Sequence, residues 1–141
     1  MTMLDRELIT RHLTELDEVL AYLRSKQGLQ ERDILATYEL RLAIERAFHL
    51  AIQNVVDIGN HVLASLSVTA VETYADIPRA LAEQRVISKP LADRLMRMAR
   101  FRNILVHEYV KVETKKLVEF LGHLEDFSSF AQSINKWLQH E

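Results

Sequence analysis

The sequence predicts an all-α fold, an antiparallel bundle of about five helices. Apolar residues recur at intervals of three and four positions along most of the chain, which places them on one face of a helix. Only 3 glycines and 2 prolines occur in 141 residues, too few for the turns of a β-sandwich or barrel. Apolar residues make up 48% of the chain, enough to bury a core, and we expect one domain over residues 1–141.

The first two helices follow from long apolar stripes. Helix one is expected over about residues 3–26, and Gly28 is expected to end it in a left-handed conformation. Helix two is expected over about residues 32–65, and Gly59 within it predicts the close approach of a neighbouring helix. The apolar stripe of helix two consists of Leu35, Tyr38, Leu42, Phe48, Ile52, Val55, Val56, Val62 and Leu63.

Three further helices are expected after a connection at residues 66–75. Asp76 is expected to cap a short third helix with Pro78 in its first turn. Ser88 is expected to cap the fourth helix ahead of Pro90, and Thr114 is expected to cap the last. The stripes of these last two helices are Leu91, Leu95, Met98, Phe101 and Leu105, and Leu117, Phe120, Leu121, Leu124, Phe127, Ile134 and Leu138.

The composition excludes several classes of protein. The chain has no cysteine, which rules out disulfides, thiolate metal sites and cysteine nucleophiles, and which is compatible with a reducing cytosol. No apolar run approaches the roughly 18 residues of a membrane span, and the N-terminus does not resemble a signal peptide. We therefore expect a cytoplasmic protein with no membrane partner.

The charge is unevenly distributed along the chain. The net charge is −2, yet the stretch from Arg79 to Arg102 holds seven basic and two acidic residues. Such a stretch can attract an RNA backbone, and its candidate RNA contacts are Arg94, Arg97 and Arg100. A solvated, arginine-rich helix face explains the same charges.

Polar residues also share a face of the second predicted helix. Asn54, Asp57 and His61 stand at positions i, i+3 and i+7 and are candidates for lining a cleft or a subunit contact. Asp57 and His61 also fit a metal pair, but two ligands make a weak site, and we expect no metal. Glu45, on the apolar side of this helix, is expected to be buried and paired.

The segment from Arg100 to Tyr109, RFRNILVHEY, carries residues suited to metal-free RNA cleavage. Histidine exchanges a proton near neutral pH, and arginine offers a two-pronged donor to phosphate. RNA supplies its own nucleophile, the 2′-OH, so His107 as base and Arg102 on the phosphate would give a 2′,3′-cyclic phosphate and a 5′-hydroxyl. Asn103 could hold the histidine or a ribose hydroxyl. The alternative is an ordinary amphipathic helix end whose dipole is offset by His107.

One regular helix cannot aim both members of this pair at one phosphate. Arg102 and His107 lie five positions apart, which is about 140° around a helix axis. Either the helix loosens near His107, or a second copy of the chain completes the site.

The segment resembles the signature of HEPN domains, and nearly the whole chain resembles the HepT family of toxin ribonucleases. The resemblance rests on Phe-Arg-Asn-Ile-Leu-Val-His-Glu-Tyr at the end of the fourth helix, on the segment Leu81–Ile87, and on the second-helix residues Arg41, Glu45, Asp57 and His61. It implies that Arg102 and His107 are the catalytic pair, supported by Asn103. It also implies a two-fold homodimer in which both motifs meet in one cleft. Arg100 departs from the pattern, because many relatives have a small residue there.

The resemblance further implies a partner. HepT-like toxins pair with a nucleotidyltransferase antitoxin of the MntA type, as in type VII toxin–antitoxin systems, and Tyr109 is the tyrosine to which it would attach AMP from ATP. AMP there would add negative charge and bulk where an RNA phosphate must sit. No other cofactor is expected. The alternatives are a non-catalytic nucleotide- or nucleotidyltransferase-binding helical module and a purely structural helical dimer.

Overall fold

Seven helices and no strand make up the part of the chain that the structure, a computed structural model, describes: residues 4–69, 71–105 and 113–141. The helices are α1 (Arg6–Arg24), α2 (Glu31–Leu35), α3 (Tyr38–Ser65), α4 (Asp76–Glu83), α5 (Lys89–Leu105), α6 (Thr114–Leu121) and α7 (Glu125–Gln139). The predicted all-α fold is therefore confirmed. None of the described helices is long and apolar enough to cross a membrane.

The stretch predicted as one helix over residues 32–65 forms two helices, α2 and α3. The backbone of Thr37 between them is extended, with φ −134° and ψ 110°, and a β-branched residue loses side-chain freedom in a helix. The prediction of a core stripe beginning at Leu35 was wrong at its start. Leu35, Tyr38 and Leu42 are 58%, 66% and 44% exposed.

The predicted last helix is also divided, into α6 and α7. The backbone N–H groups of Gly122 and His123 donate to the carbonyls three residues earlier, both at 3.0 Å, which tightens the turn and ends α6. Glycine, the weakest helix former after proline, occupies this turn. The apolar positions on both sides remain in the core, so the stripe was predicted correctly and the break was not.

Local signals at the helix ends were predicted with mixed success. Gly28 has φ +92°, the predicted left-handed conformation, but α1 already ends at Arg24, with Ser25 as its C-cap. The Oγ of Ser88 accepts a hydrogen bond from the backbone of Leu91 at 3.3 Å, as predicted. Asp76 does not cap α4, because its carboxylate accepts hydrogen bonds from the backbone and hydroxyl of Thr73 and closes the preceding turn. Thr114 is the first residue of α6 rather than its cap.

Helix α3 forms the centre of the bundle and packs against all six other described helices. A Cβ atom on Gly59 would lie 2.4 Å from Cγ2 of Ile77, so α4 approaches α3 as closely as the glycine predicted. Helices α3 and α5 run antiparallel. The ring of Phe48, early in α3, lies 6.1 Å from that of Phe101, late in α5. Val55 and Val56, later in α3, line the same small cavity as Leu95, earlier in α5. The end of α5 therefore lies beside the beginning of α3.

Candidate functional site

Arg102 is held on the face of α5 that is turned toward α3. Its Nε atom donates a hydrogen bond to Oε1 of Gln53 at 3.0 Å. Its guanidinium carbon lies 4.0 Å from the centre of the Tyr74 ring, within the range of a cation–π contact. Within the described residues, the two terminal nitrogens of Arg102 make no hydrogen bond, so they are available to bind an anion together.

The amide of Gln53 is fixed at both ends. Its Nε2 donates to Oδ1 of Asp57 at 2.9 Å, while its Oε1 accepts from Arg102. An ionised carboxylate only accepts hydrogen bonds and a guanidinium only donates them, so a flipped amide would lose both contacts. Asp57 therefore acts on Arg102 through Gln53.

These residues belong to a polar column along α3, formed by Glu45, His49, Gln53 and Asp57 at intervals of four. Burial, assisted by the charges of Arg46 and then Arg102, holds the pKa of His49 below its usual value. Burial raises the pKa of Glu45, and the nearby Arg41 partly opposes that rise. Glu45 is half-buried and has no ion pair among the described residues, so the predicted pairing is not seen.

His49, Gln53 and Tyr74 were missed by the sequence reasoning. The positions 49, 53 and 57 lie one helical turn apart, which was a usable signal for a shared face. The Nδ1 atom of His49 lies 3.0 Å from Nη1 of Arg46, and because a guanidinium only donates, Nδ1 accepts. Nothing in the local sequence marked Tyr74, which lies in the connection before α4.

The predicted face of Asn54, Asp57 and His61 is divided between two neighbours. Asp57 joins the Arg102 network, whereas Oδ1 of Asn54 lies 2.9 Å from Nδ1 of His12 on α1. The ring of His61 lies 6.1 Å from that of His12, so it also faces α1. No group of three or more possible metal ligands occurs among the residues that the structure describes.

The remaining predicted site residues differ in their placement. Asn103 is exposed and makes no hydrogen bond within the described chain. His107 and Tyr109 lie outside the described residues. Arg94 is engaged, with its Nε 2.7 Å from Oδ1 of Asp126. Helical geometry places Arg97 and Arg100 about 140° and 160° around α5 from Arg102, and the structure does not bring them to the same site.

Comparisons with known proteins agree with this architecture. Residues 7–134 match the family model described as Ribonuclease HepT-like. A tRNA nuclease HepT from Aphanizomenon flos-aquae is 24% identical over 139 residues, which cover 98% of this chain and 95% of that protein. An mRNA nuclease HepT from Shewanella oneidensis is 34% identical over 80 residues, which cover 56% of this chain and 60% of that protein.

Solved structures share the fold. The cytosolic protein of unknown function YutE from Bacillus subtilis matches with a TM-score of 0.85 at 23% identity, over 99% of this chain and 94% of that one. A tri-AMPylated HEPN toxin from Shewanella oneidensis, in complex with an MNT antitoxin, matches with a TM-score of 0.84 at 22% identity, over 94% and 99% of the two chains. The predicted HEPN-like fold is confirmed. The chain belongs to the Ribonuclease HepT-like family and is by that membership a ribonuclease.

Proposed function

We propose that this protein is the toxin of a toxin–antitoxin pair and cleaves RNA without a metal ion, using Arg102 and His107. The observation that carries the proposal is the placement of Arg102. Gln53 and Tyr74 hold its Nε and its flat face, and the terminal nitrogens are left to bind a phosphate. If Arg102 served only stability, we would expect its terminal guanidinium nitrogens to bind a carboxylate of the protein.

The proposed reaction is an internal transesterification. His107 removes the proton from the 2′-OH, the 2′-oxygen forms a bond to phosphorus, and the bond from phosphorus to the 5′-oxygen breaks. The departing 5′-oxygen takes a proton from solvent, and the protonated His107 returns its proton to solvent, leaving a 2′,3′-cyclic phosphate and a 5′-hydroxyl. In this proposal Arg102 stabilises the charge that accumulates on the non-bridging oxygens, and Asn103 holds the ribose or His107.

A two-fold homodimer would bring both motifs to one phosphate. The exposed apolar side chains of Leu35, Tyr38 and Leu42 lie at the end of α2 and in the first two turns of α3, the end of that helix beside the end of α5. A second copy that covered this surface would also supply the catalytic residue that a single helix cannot aim, and such contacts usually exceed about 1,000 Å².

The proposed partner is a nucleotidyltransferase antitoxin. The solved toxin from Shewanella oneidensis carries AMP and is bound to an MNT antitoxin. By analogy, the partner of this chain would transfer AMP from ATP to Tyr109, two residues after His107. The added phosphate would repel RNA at the cleft, and no cofactor would be needed for cleavage itself.

The experiment compares Arg102→Ala and His107→Ala with the wild-type protein on single-stranded RNA in the presence of a chelator. His140→Ala serves as a matched control, because it removes an exposed imidazole from the end of α7. We expect each site variant to lose about 10²-fold or more in rate while the control retains it. Wild-type cleavage that requires a divalent ion, or tight nucleotide binding without any cyclic-phosphate product, would contradict the proposal.

A further inference from the structure

A second basic site lies on the opposite side of α5 from Arg102. A groove of about 400 Å³ runs between α5, α6 and the start of α7. Its apolar floor includes Phe101 and Phe120, whose ring centres are 4.5 Å apart. Its rim carries Arg97, Arg100 and His123, all exposed.

The charge of this groove is positive after its own ion pairs are counted. Arg94 pairs with Asp126 at 2.7 Å, and Lys116 pairs with Glu119 at 3.4 Å. These two pairs neutralise both acidic side chains that line the groove. Arg97 and Arg100 have no ion pair among the described residues, so two guanidinium groups one helical turn apart face an open groove.

The position of the groove connects it to the motif. Arg100 and Ile104 lie within five residues of the end of α5 at Leu105, and His107 follows two residues later in the sequence. Arg100 lies two residues before Arg102, a rise of about 3 Å along α5 but about 160° around its axis, so an RNA strand leaving a site built on Arg102 and His107 would have to pass around α5 to reach Arg100.

We propose that this groove binds a single-stranded segment of the RNA substrate, beside the segment that is cleaved. The inference rests on the proposed cleavage site at Arg102 and His107. Arg97 and Arg100 would bind successive phosphates, and a base would stack or pack over the apolar floor, the combination that single-strand binding sites use. His123, contributed by the turn between α6 and α7, would close the far wall.

A rival groove on the same protein provides the matched control. Arg85, Lys136 and Trp137 line an open groove of about 540 Å³ that also includes Ser88, the residue before α5. It is equally basic, but it lies at the opposite end of α5, about 25 Å along the helix from Leu105. Removing two cations from either groove changes the net charge of the protein by the same amount.

The test measures binding of a fluorescent single-stranded RNA of about 15 nucleotides, a length within the range of such sites. All proteins carry His107→Ala, so the RNA stays intact during the titration. We compare the pair Arg97→Gln and Arg100→Gln with the pair Arg85→Gln and Lys136→Gln. Circular dichroism checks that both double variants are folded, as expected for exposed side chains.

We expect the first pair to lower the slope of log Kd against log salt by about 1.4, which is about 0.7 for each phosphate contact of a single strand. At about 0.1 M salt this corresponds to a loss of affinity of about 25-fold. The control pair should change the affinity by less than about threefold.

Equal losses of RNA affinity in the two double variants, or no loss in the variant of Arg97 and Arg100, would overturn the groove as an RNA site. Loss of nucleotidyltransferase binding with unchanged RNA affinity would overturn it as well, and would assign the surface to the antitoxin. Cleavage by the wild-type protein, measured in parallel, separates the two proposals. If the wild-type protein cleaves RNA while the groove variants bind normally, only the groove is refuted. If it neither binds nor cleaves RNA, both are refuted.

Discussion

The hydrogen bond between Gln53 and Arg102 offers a direct test of how the site is positioned. Gln53→Leu keeps a side chain of similar size but removes both the acceptor for Arg102 and the donor to Asp57. A hydrogen bond to a charged group contributes about 1.5–3 kcal/mol, which is about 10- to 150-fold in rate if the transition state uses it fully. Because Tyr74 still stacks on the guanidinium, we expect the lower part of this range, about 10- to 30-fold.

The assay is steady-state RNA cleavage, with kcat corrected for the folded fraction. Gln27→Leu is the matched control, because its amide also donates a hydrogen bond at 2.9 Å, to the carbonyl of Leu121, away from the site. The double variant Gln53→Glu with Asp57→Asn exchanges the amide and the carboxylate, so both hydrogen bonds and the net charge are preserved. We expect this exchange to restore most of kcat. If Gln53→Leu and Gln27→Leu had the same kcat, Gln53 would not position Arg102.

The remaining predictions concern stability and electrostatics. Gly59→Ala should lower Tm by about 4 °C or more, because the new Cβ would lie 2.4 Å from Cγ2 of Ile77. Such overpacking costs about 1–3 kcal/mol, which the higher helix propensity of alanine offsets only in part. Gly122→Ala should lower Tm less, because its new Cβ would lie 3.3 Å from the nearest atom, the carbonyl oxygen of Glu119. The pKa of His49 is lowered in the folded protein, so the unfolded chain binds the proton more tightly and the free energy of unfolding falls as the pH drops below about 6.5. In urea unfolding, His49→Gln should lose less of this free energy over the same drop in pH. Glu45 has a raised pKa, so its charge costs stability at neutral pH, and Glu45→Gln should raise the urea midpoint there and lose that advantage as the pH falls toward 4.5.

Much of the fold could be predicted because its signals are local. Gly28, Ser88 and Gly59 act through backbone conformation, a single hydrogen bond and the absence of a side chain, all of which are visible in a short stretch of sequence. The breaks near Thr37 and Gly122 were missed for a different reason. The apolar spacing continues across both positions, and a stripe does not report whether the backbone beneath it is one helix or two.

The site was only partly predictable because its contacts join distant parts of the chain. Arg102 stands out through its neighbours in the motif, but Gln53 lies 49 positions earlier, and only packing of α3 against α5 brings the two side chains together. Tyr74 comes from a connection without a helical pattern. The exposure of Leu35, Tyr38 and Leu42 could not be read from periodicity either, because an exposed apolar face and a core face look the same in sequence.

The central proposal is that one phosphate is served by Arg102 of one subunit and His107 of the other. Mixing Arg102→Ala protein with His107→Ala protein under conditions of subunit exchange tests this most directly. In a two-fold dimer the shared cleft holds two equivalent combinations of Arg102 from one subunit and His107 from the other. Half of the random pairs are mixed, and each mixed pair regains one of these two combinations. We therefore predict recovery of about a quarter of the wild-type activity. A mixture no more active than either variant alone would contradict the shared site.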